Sequence, residues 1–332
     1  MSEMFEEYEG ATVLVTGGAG CIGSNLCKVL SELGAKKVII LDDLSASYKW
    51  NIPVADNIEF VQGNILDEEK LKQVFYEKPD YVFHLAAHFA NQNSVEHPET
   101  DLMVNGLGTL KILEYCRLTD VSRVVYASSG CSVYGAQAPL PLKEDFVSLD
   151  LDTPYQIHKL LGELYCNYFY NLYELQVARA RYFNVYGPGE VPGRYRNVIP
   201  NFMYWALNGM PLPITGTGEE TRDFTYVSDI VDGTLRCGVV KKAVGEAFNL
   251  ASETETKIID LANWINELTG NKAGIVFKER RSWDRSIRRK ASIKKAKEML
   301  GYEPKVDIKS GLKKTLEWFK ANWENIKQSA EF

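Results

Sequence analysis

Tyr155 and Lys159 are the two side chains of this sequence whose types and spacing best suit chemistry. Residues i and i+4 share one face of a helix, so the lysine ammonium can lie beside the tyrosine phenol. A phenol normally titrates at about 10, and a fixed neighbouring cation lowers its pKa enough for use as a base near neutral pH. The pair therefore predicts abstraction of a proton from a hydroxyl group. Because this spacing also arises by chance, its meaning depends on the elements around it.

A glycine-rich turn near the amino terminus predicts the binding of a dinucleotide. It follows a short apolar, β-branched run at 11–16, and a helical pattern follows the turn. Such a run is typical of a buried parallel strand. Glycine lets the backbone approach a pyrophosphate, and the N-terminus of a helix attracts the anion. The residues expected to contact the cofactor here are Gly17, Gly20, Cys21, Ile22 and Gly23.

The end of the next predicted strand indicates which dinucleotide binds. Asp42 closes an apolar run about 20 residues after Gly23, where a carboxylate can accept both ribose hydroxyl groups of adenosine. The same carboxylate would repel a 2′-phosphate, so we predict NAD rather than NADP. Asn64 and Ile65 lie in a later turn that would contact the adenine.

Strands and helices continue to alternate along the chain, which predicts a doubly wound parallel sheet with ligands at the carboxyl ends of its strands. The strand at 81–85 runs into Ala86 and Ala87, and Asn105 is expected to start a long helix. His84 and His88 have the spacing of a metal pair, but no third ligand follows, so no metal is predicted.

Composition disfavours several classes of protein. The 332-residue chain has a net charge of -6 and no strongly basic lobe, which argues against binding to nucleic acid. It has no signal-peptide pattern and no apolar run of about 18 residues, so no membrane association is expected. The six cysteines are scattered, which is typical of reduced thiols in a cytoplasmic protein.

The motifs together resemble the extended short-chain dehydrogenase/reductase family, specifically its NAD-dependent nucleotide-sugar epimerase/dehydratase group and, within it, the UDP-hexose 4-epimerases. The resemblance covers almost the whole chain. The matching segments, in chain order, are residues 16–23, 41–45, 84–87, 133–135, 155–159, 181–188 and 218–224.

The resemblance implies an α/β fold with two unequal lobes. A Rossmann lobe for NAD would span 1–182, with a return segment at about 223–248. A smaller mixed α/β lobe, formed by 183–222 and 249–332, would hold a nucleoside-diphosphate sugar. Homodimers are frequent in this family, through the helices that would here carry residues 105–117 and 155–173.

The resemblance also implies roles for individual residues. Tyr155 would take the proton of a sugar hydroxyl while hydride passes to the nicotinamide, and Lys159 would bind the nicotinamide ribose. The further cofactor contacts implied are Leu85, Ala86, Ala87, Asn105 and Phe183. The substrate contacts implied are Ser129, Asn184, Val198, Arg222, Arg281 and Asp284, with Arg222 and Arg281 on the diphosphate. For most of Arg285, Arg288 and Arg289 we expect a solvated basic face instead.

The sequence departs from the family in two turns. Asn64 replaces the usual Asp, although its amide oxygen can still accept from the adenine amino group. Gly130 stands where the family has its catalytic Ser or Thr. Ser129 is our first choice for that hydroxyl and Ser132 the second.

The same loop discriminates between reactions. Cys131 and Ser132 stand where the 4,6-dehydratases carry an Asp-Glu pair, and the Glu that decarboxylases keep before Val133 is absent. A 4-epimerase needs only one base and the nicotinamide, so we predict a 4-epimerase, with a UDP-hexose as the favoured substrate. The alternatives are a 4-dehydrogenase that releases the keto sugar, a dehydratase or decarboxylase of the same family, and a non-catalytic NAD-binding regulator.

The carboxyl-terminal part shows several local patterns. The polar loop at 191–197 is expected to close over the sugar nucleotide, and a helix is expected to begin at Val198. A strand is predicted at 212–216, and amphipathic helices are predicted at 260–268 and 310–323.

Overall fold

The computed structural model describes residues 3–332 and is built around parallel strands. The strands are β1 (Thr12–Thr16), β2 (Lys37–Asp42), β3 (Ile58–Gln62), β4 (Tyr81–His84), β5 (Arg123–Ser129), β6 (Val177–Tyr182), β7 (Val185–Tyr186), β8 (Leu212–Thr215), β9 (Thr221–Asp223), β10 (Thr225–Tyr226), β11 (Ala247–Leu250), β12 (Glu255–Lys257) and β13 (Ile275–Lys278). Seven of them form one sheet, in the order β11-β6-β5-β4-β1-β2-β3. Every pairing within that sheet is parallel.

Helices cover both faces of this sheet and build the rest of the chain. They are α1 (Cys21–Glu32), α2 (Glu68–Tyr76), α3 (Asn91–Glu96), α4 (Pro98–Asp101), α5 (Thr109–Leu118), α6 (Pro154–Tyr173), α7 (Val198–Leu207), α8 (Val227–Val239), α9 (Ile258–Thr269), α10 (Lys294–Leu300), α11 (Ile308–Ala321) and α12 (Trp323–Ser329). Short 3₁₀ segments occupy Glu3–Tyr8, Lys49–Asn51 and Lys241–Ala243. No helix within residues 3–332 has both the length and the apolar character needed to cross a membrane.

The apolar composition of the strands explains why the sheet lies in the interior. Val13, Leu14 and Val15 of β1 are fully buried, yet Val13 and Val15 belong to one core and Leu14 to the other. Successive side chains of a strand point to opposite faces, so both faces of β1 are covered by helices. The predicted doubly wound Rossmann fold is confirmed.

The strand order places a crevice beside β1. The chain proceeds outward from β1 through β2 to β3, and then returns to lay β4 on the other side of β1. Ligands of open α/β sheets bind at such a reversal, beyond the carboxyl ends of the strands. The glycine-rich turn follows β1 and the Leu85-Ala86-Ala87 segment follows β4, so both lie at this crevice.

The helix expected to begin at Asn105 begins earlier. Pro98 occupies the first turn of α4, and a π-helical segment, Leu102–Gly108, joins α4 to α5. Asn105 therefore lies inside a helical stretch and not at its start. The expectation was wrong because proline fits the first turn of a helix, where its missing N–H costs nothing. Such π-helical segments are frequent at functional sites.

The carboxyl-terminal part contains three small strand pairs. β8 pairs with β13 and β7 with β10 in parallel, and β9 pairs with β12 in antiparallel fashion. The helix predicted from Val198 and the strand predicted at 212–216 appear as α7 and β8. The two predicted amphipathic helices appear as α9 and α11, the second of which ends at Ala321, before α12. After β10 the chain returns through α8 to β11, which pairs with β6 in the main sheet.

Candidate active site

One cavity of about 770 Å³ runs along the carboxyl ends of the strands of the main sheet. It brings together most of the residues singled out from the sequence. Those that line it are Gly17, Gly20, Cys21, Ile22, Gly23, Asp42, Asn64, Ile65, Leu85, Ala86, Ala87, Ser129, Ser132, Tyr155, Lys159 and Asn184. Those that do not are Asn105, Phe183, Val198, Arg222, Arg281 and Asp284.

The three glycines of the amino-terminal turn serve different purposes. Gly17 has a φ of 71°, and a Cβ there would lie 2.6 Å from the backbone nitrogen of Ala86. A Cβ at Gly23 would collide with the carbonyl oxygen of Gly17. Gly20 has only that oxygen nearby, at 3.4 Å from an added Cβ. Gly17 and Gly23 thus allow the turn to fold tightly, and Gly20 leaves the N-terminus of α1 open to an anion.

Asp42 organises the backbone around the adenosine end of the cavity. Its Oδ2 accepts from the backbone N–H of Ala19 at 3.0 Å. Its Oδ1 accepts from the backbone N–H of Leu44 at 2.9 Å and from the hydroxyl of Ser47 at 2.7 Å. A carboxylate offers about four acceptor positions, so it can still receive a ribose hydroxyl. Ser47 also lines the cavity, and no motif in the sequence pointed to it.

Both the nitrogen and the oxygen of the Asn64 side-chain amide form hydrogen bonds within the protein. The nitrogen donates to Asp43 at 2.6 Å, and the oxygen accepts from the backbone N–H of Leu66 at 2.9 Å. The oxygen proposed for the adenine amino group thus keeps one acceptor position for it.

Tyr155 and Lys159 lie in the first turns of α6, which begins at the carboxyl edge of the sheet. Thr153 caps the helix and Pro154 occupies its first turn, both favourable there. The Lys159 Nζ donates to the carbonyl oxygen of Ala127 at 2.9 Å and lies 5.7 Å from the centroid of the Tyr155 ring. Among the described residues, the Tyr155 hydroxyl has no hydrogen-bond partner. The phenol is thus free to meet a substrate hydroxyl.

The electrostatics of the pair differ from expectation. Burial lowers the pKa of Lys159 to about 8, and the negative charge of Asp101 opposes this change. Burial also raises the pKa of Tyr155 well above its ordinary value, and Asp101 raises it further. The prediction that Lys159 makes Tyr155 acidic is therefore wrong for this arrangement. The ammonium is directed at Ala127, and desolvation of the phenolate dominates.

The loop after β5 brings both candidate serines together. The Ser132 hydroxyl donates to the Ser129 hydroxyl at 2.9 Å, across the gap left by Gly130. Ser128 also lines the cavity, but its hydroxyl donates to the buried Glu163 at 2.5 Å. The Cys131 thiol donates to the Asn184 amide oxygen at 3.2 Å.

Gly130 is required by a ring packed against it. A Cβ at this position would overlap the ring of Phe183, which is fully buried. The Phe183 side chain does not line the cavity itself. It affects the cavity by restricting the shape of the loop that contains Gly130.

Asn105 holds the backbone that follows β4. Its amide oxygen accepts from the backbone N–H of His88 at 3.0 Å, and its amide nitrogen donates to the carbonyl oxygen of His88 at 3.1 Å. The side chain is 1% exposed and does not line the cavity. It can thus position the Ala86-Ala87-His88 segment, which does line it.

The residues implied for the diphosphate lie beyond the rim. Arg222 and Asp284 form an ion pair at 3.4 Å. The Arg281 guanidinium stacks over the ring of Trp283 at 5.6 Å, and Trp283 donates to Gln92 of α3 at 3.1 Å. Asn91 and Asn93, which flank Gln92 on α3, do line the cavity. The Arg281 guanidinium, stacked on Trp283, therefore lies beside the α3 edge of the cavity.

The basic stretch divides into exposed ion pairs and one buried cation. Arg285 pairs with Asp150 and Asp152, and Arg288 pairs with Glu255, as a solvated face requires. Arg289 is instead 3% exposed and donates to the carbonyl oxygen of Gly135 and to Ser286, both at 2.5 Å. The contact with Gly135 is far away in sequence, so composition could not reveal the burial.

The loop at 191–197, for which closure over the sugar nucleotide is expected, contacts two separate segments beside the cavity. Arg196 donates to the carbonyl oxygen of Ala46 in the loop after β2, and both residues line the cavity. Burial raises the pKa of Glu190, which also lines it, to about 7. Tyr195 of the same loop donates to Glu96 of α3 at 2.6 Å. The loop thus reaches from the segment after β2 to α3, and its closure over the sugar nucleotide stays a prediction. Glu190 and Glu331 also line the cavity and were missed by sequence reasoning, whereas Tyr195 and Arg196 lie in the loop that it singled out.

A buried ion pair joins α6, which carries Tyr155 and Lys159, to strand β6 of the main sheet. Arg181 of β6 and Glu163 of α6 are joined by two hydrogen bonds of 2.8 Å. Burial alone would raise the pKa of Glu163, but the bonds and charge of Arg181 outweigh it, so that pKa lies below its ordinary value. The pair ties the helix that carries Tyr155 to the sheet.

Comparison with known proteins identifies the family. Residues 13–251 match the NAD dependent epimerase/dehydratase family. The chain belongs to that family. The structure of the epimerase Mth375 of Methanothermobacter thermautotrophicus is 61% identical in sequence to this family member. The alignment covers 99% of this chain and 98% of the Mth375 chain, with a TM-score of 0.98. The UDP-glucose 4-epimerase of Mycolicibacterium smegmatis is 37% identical over 92% of this chain and 98% of its own.

The family also includes relatives with another reaction. The UDP-N-acetyl-alpha-D-glucosaminuronate decarboxylase of Bacillus cytotoxicus is 35% identical over 92% of this chain and 97% of its own. This epimerase/dehydratase family member is an NAD-dependent nucleotide-sugar enzyme. Its own residues must distinguish the reactions.

Proposed function

We propose that the enzyme is a nucleotide-sugar 4-epimerase that acts on a UDP-hexose. The supporting observation is the distribution of carboxylates around the cavity. Within residues 3–332, those that line it are Asp42, Asp43, Glu190 and Glu331. Asp42 ends β2 and Asp43 follows it, and Glu190 and Glu331 bond to the loop at 191–197. The loop beside Tyr155 offers hydroxyls and a thiol instead. Elimination of water needs an acid and a base beside the sugar, whereas epimerisation needs only one base there.

The chain's residues suit a reversible oxidation at C4. NAD, when bound, supplies a hydride acceptor that can also return the hydride. As the phenolate, the Tyr155 oxygen would accept the proton of the sugar hydroxyl, and the phenol would give it back after the keto sugar has rotated in the site. Lys159, fixed by Ala127, would hold a positive charge beside the reacting groups. The hydroxyls of Ser129 and Ser132 can donate to the sugar oxygen.

The test is an incubation of the purified protein with a panel of nucleotide sugars. We expect NMR to show conversion of a UDP-hexose into its C4 epimer, without a net rise in absorbance at the band of reduced nicotinamide. Stoichiometric reduced nicotinamide with a 4-keto product would instead assign the 4-dehydrogenase. Loss of carbon dioxide or of water would contradict the proposal in favour of the related reactions.

We also propose that the enzyme is a homodimer. Two neighbouring helical stretches expose large apolar side chains, namely Leu102, Met103, Leu107, Leu118, Ile157, Leu164, Tyr168 and Leu172. Apolar patches of this kind mark interaction sites, and a twofold dimer pairs the same patch with itself. The patch lies on the helices that the sequence resemblance implies for dimerisation.

Sedimentation velocity measures this assembly directly. Leu164 is 55% exposed, and Leu164→Glu places a charge within the proposed interface, so the dimer should dissociate. Val54→Glu is the matched control, because Val54 is fully exposed outside the patch and should leave the dimer intact. A monomeric parent protein, or equal behaviour of both variants, would contradict the assignment of this face.

A cytoplasmic location completes the proposal. All six cysteines are free thiols, as expected in a reducing compartment. Cell fractionation followed by immunodetection would test it, and recovery of the protein outside the cytoplasmic fraction would contradict it.

A further inference from the structure

The cavity wall beside Tyr155 includes Phe89 and the first residue of α3, Asn91. The Phe89 ring packs edge to face on the Tyr155 ring, with 5.9 Å between their centroids. The Asn91 side chain contacts Thr153, which lies two residues before Tyr155. The segment 89–91 therefore meets the start of α6 at two points, and the Asn91 amide lies in the same cavity as the Tyr155 phenol.

The orientation of the Asn91 amide is fixed by Thr153, which is 1% exposed. As the cap of α6, the Thr153 hydroxyl oxygen accepts from the backbone N–H of Gln156 at 3.4 Å. The proton of that hydroxyl is still available, and it is donated to the Asn91 Oδ1 at 2.7 Å. An amide has its acceptor on the oxygen and two donor hydrogens on the nitrogen. The oxygen thus faces Thr153, and the nitrogen faces away from it.

The amide nitrogen of Asn91 is available to a ligand. Among the described residues, none accepts a hydrogen bond from it, and it is not one of the atoms sealed off from solvent without a partner. The neighbouring Asn93 also lines the cavity, but its amide nitrogen is used, since it donates to the carbonyl oxygen of Phe89 at 2.9 Å. Asn91 is therefore the amide on this wall whose donors remain for a bound molecule.

Helix α3 holds Asn91 in place. The hydroxyl of the fully buried Ser94 donates to the carbonyl oxygen of Asn91 at 2.8 Å. Gln92 donates to Glu96 at 2.6 Å and accepts from the Trp283 indole at 3.1 Å. A side chain whose surroundings are already ordered loses little conformational freedom when a ligand binds. The Asn91 amide is thus preorganised to bind.

The position of Asn91 beside Tyr155 limits which ligand atom it can reach. In the proposed reaction, the C4 hydroxyl of the hexose meets the Tyr155 oxygen. The carbon atoms bonded to C4 are C3, which carries a hydroxyl, and C5, which carries the hydroxymethyl group of C6. A donor beside Tyr155 therefore meets the oxygen on C3 or on C6. An amide N–H suits such an uncharged oxygen, because a hydroxyl oxygen can accept a hydrogen bond.

We propose that Asn91 determines sugar specificity by donating a hydrogen bond from its Nδ2 to the hydroxyl group on C3 or C6 of the hexose. The inference rests on the proposed function, because it takes the C4 hydroxyl to lie at Tyr155. This bond gives the hexose a partner that UDP alone does not use. Asn91 should therefore contribute to the affinity for the sugar nucleotide and not to the affinity for UDP.

Equilibrium dialysis of the NAD-saturated protein with UDP-glucose and with UDP tests the proposal. Asn91→Ala should weaken the binding of UDP-glucose by about 3- to 10-fold, the effect of one hydrogen bond between uncharged groups, and leave the binding of UDP unchanged. A residue with a merely structural role would weaken both ligands by the same factor. That result, or an unchanged affinity for UDP-glucose, would overturn the inference. So would a parent protein that binds UDP-glucose no more tightly than UDP.

Deoxy analogues of UDP-glucose identify the oxygen that Asn91 contacts. Asn91→Ala should leave the affinity for either the 3-deoxy or the 6-deoxy analogue unchanged, because that analogue lacks the accepting oxygen. It should weaken the binding of the 2-deoxy analogue as much as that of UDP-glucose. This comparison is a double-mutant cycle between a side chain and a ligand group. An equal loss of affinity for all three analogues would contradict a contact with the C3 or C6 hydroxyl.

Asn57→Ala is the matched control. The Asn57 amide oxygen also accepts from a hydroxyl, that of Ser31 at 2.6 Å, but Asn57 does not line the cavity. Its replacement should leave both affinities unchanged. If Asn91→Ala does not fold, Asn91→Leu provides a second test, because leucine fills the space of the amide without a donor. The same selective loss of affinity for UDP-glucose is expected.

The outcomes separate this inference from the proposed function. Dialysis measures binding and needs no turnover. A panel of nucleotide sugars that yields no C4 epimer contradicts the proposed function, whatever the affinities of the Asn91 variants. If epimerisation is observed and Asn91→Ala binds UDP-glucose as the parent does, only the role of Asn91 fails.

Discussion

Tyr155→Phe is expected to lower kcat by roughly 10²–10⁴-fold, the usual contribution of a general base, and to leave NAD bound. The ring is buried against its surroundings and packs edge to face with Phe89 at 5.9 Å between centroids. Phenylalanine keeps those contacts and loses only the hydroxyl. Because that hydroxyl has no hydrogen-bond partner among the described residues, its removal leaves no buried group unpaired. The loss should therefore appear in turnover and not in stability.

Tyr302→Phe provides the matched control. Tyr302 is a fully buried phenol that donates to the carbonyl oxygen of Ala251 at 3.1 Å, within the carboxyl-terminal core. Its replacement should cost about 1 kcal/mol of unfolding free energy and leave kcat unchanged. Turnover is measured with the sugar identified by the NMR panel, and bound nucleotide is quantified after denaturation. Equal kcat values for Tyr155→Phe and the parent enzyme would rule out Tyr155 as the base.

Glu163→Ala is expected to lower the free energy of unfolding by about 3–5 kcal/mol, because it leaves the Arg181 charge buried without its partner. Arg181 is 2% exposed, and its Nε and Nη2 donate to the two carboxylate oxygens of Glu163. Ser128 would lose its acceptor at the same time. Chemical denaturation followed by circular dichroism measures the change.

The pH dependence of stability gives a second readout of the same pair. The folded pKa of Glu163 lies below its unfolded value, so the pair stabilises the fold above that unfolded value. This contribution is lost as the pH falls through the lowered folded pKa. The variant should therefore lose less stability than the parent over that acidic range. Glu298→Ala, which breaks an exposed pair with Lys294, should cause no measurable change. Similar small effects for both variants would contradict the structural role of the buried pair.

The sequence predicted those parts of the fold that local patterns determine. The run at 11–16, the glycine turn and the α/β alternation each depend on neighbouring residues, and they led correctly to β1, α1 and the doubly wound sheet. The helix containing Tyr155 and Lys159 was also readable, because Thr153 and Pro154 are strong signals for a helix start. In each case the residues that give the signal lie within a few positions of the element that they determine.

Contacts between distant segments could not be predicted in the same way. Arg196 meets Ala46 and Arg289 meets Gly135 only because the folded chain brings separate loops together. Asp101 gave no signal at all, because its hydrogen-bond partner His158 lies 57 residues further along the chain. The pKa of Tyr155 was misjudged for a related reason: helical spacing fixes which residues are neighbours, whereas the degree of burial depends on the whole fold.

The close packing of Gly130 against Phe183 also restricts how this loop can evolve. A serine or threonine introduced at position 130 alone would meet the Phe183 ring, and overpacking of this kind typically costs about 1–3 kcal/mol. A smaller residue at position 183 alone would leave a cavity in the core instead. Either order of substitution therefore passes through a less stable protein. The two positions should change together among descendants of this chain, and in a lineage that keeps the ring the proposed catalytic hydroxyl would have to come from Ser129 or Ser132.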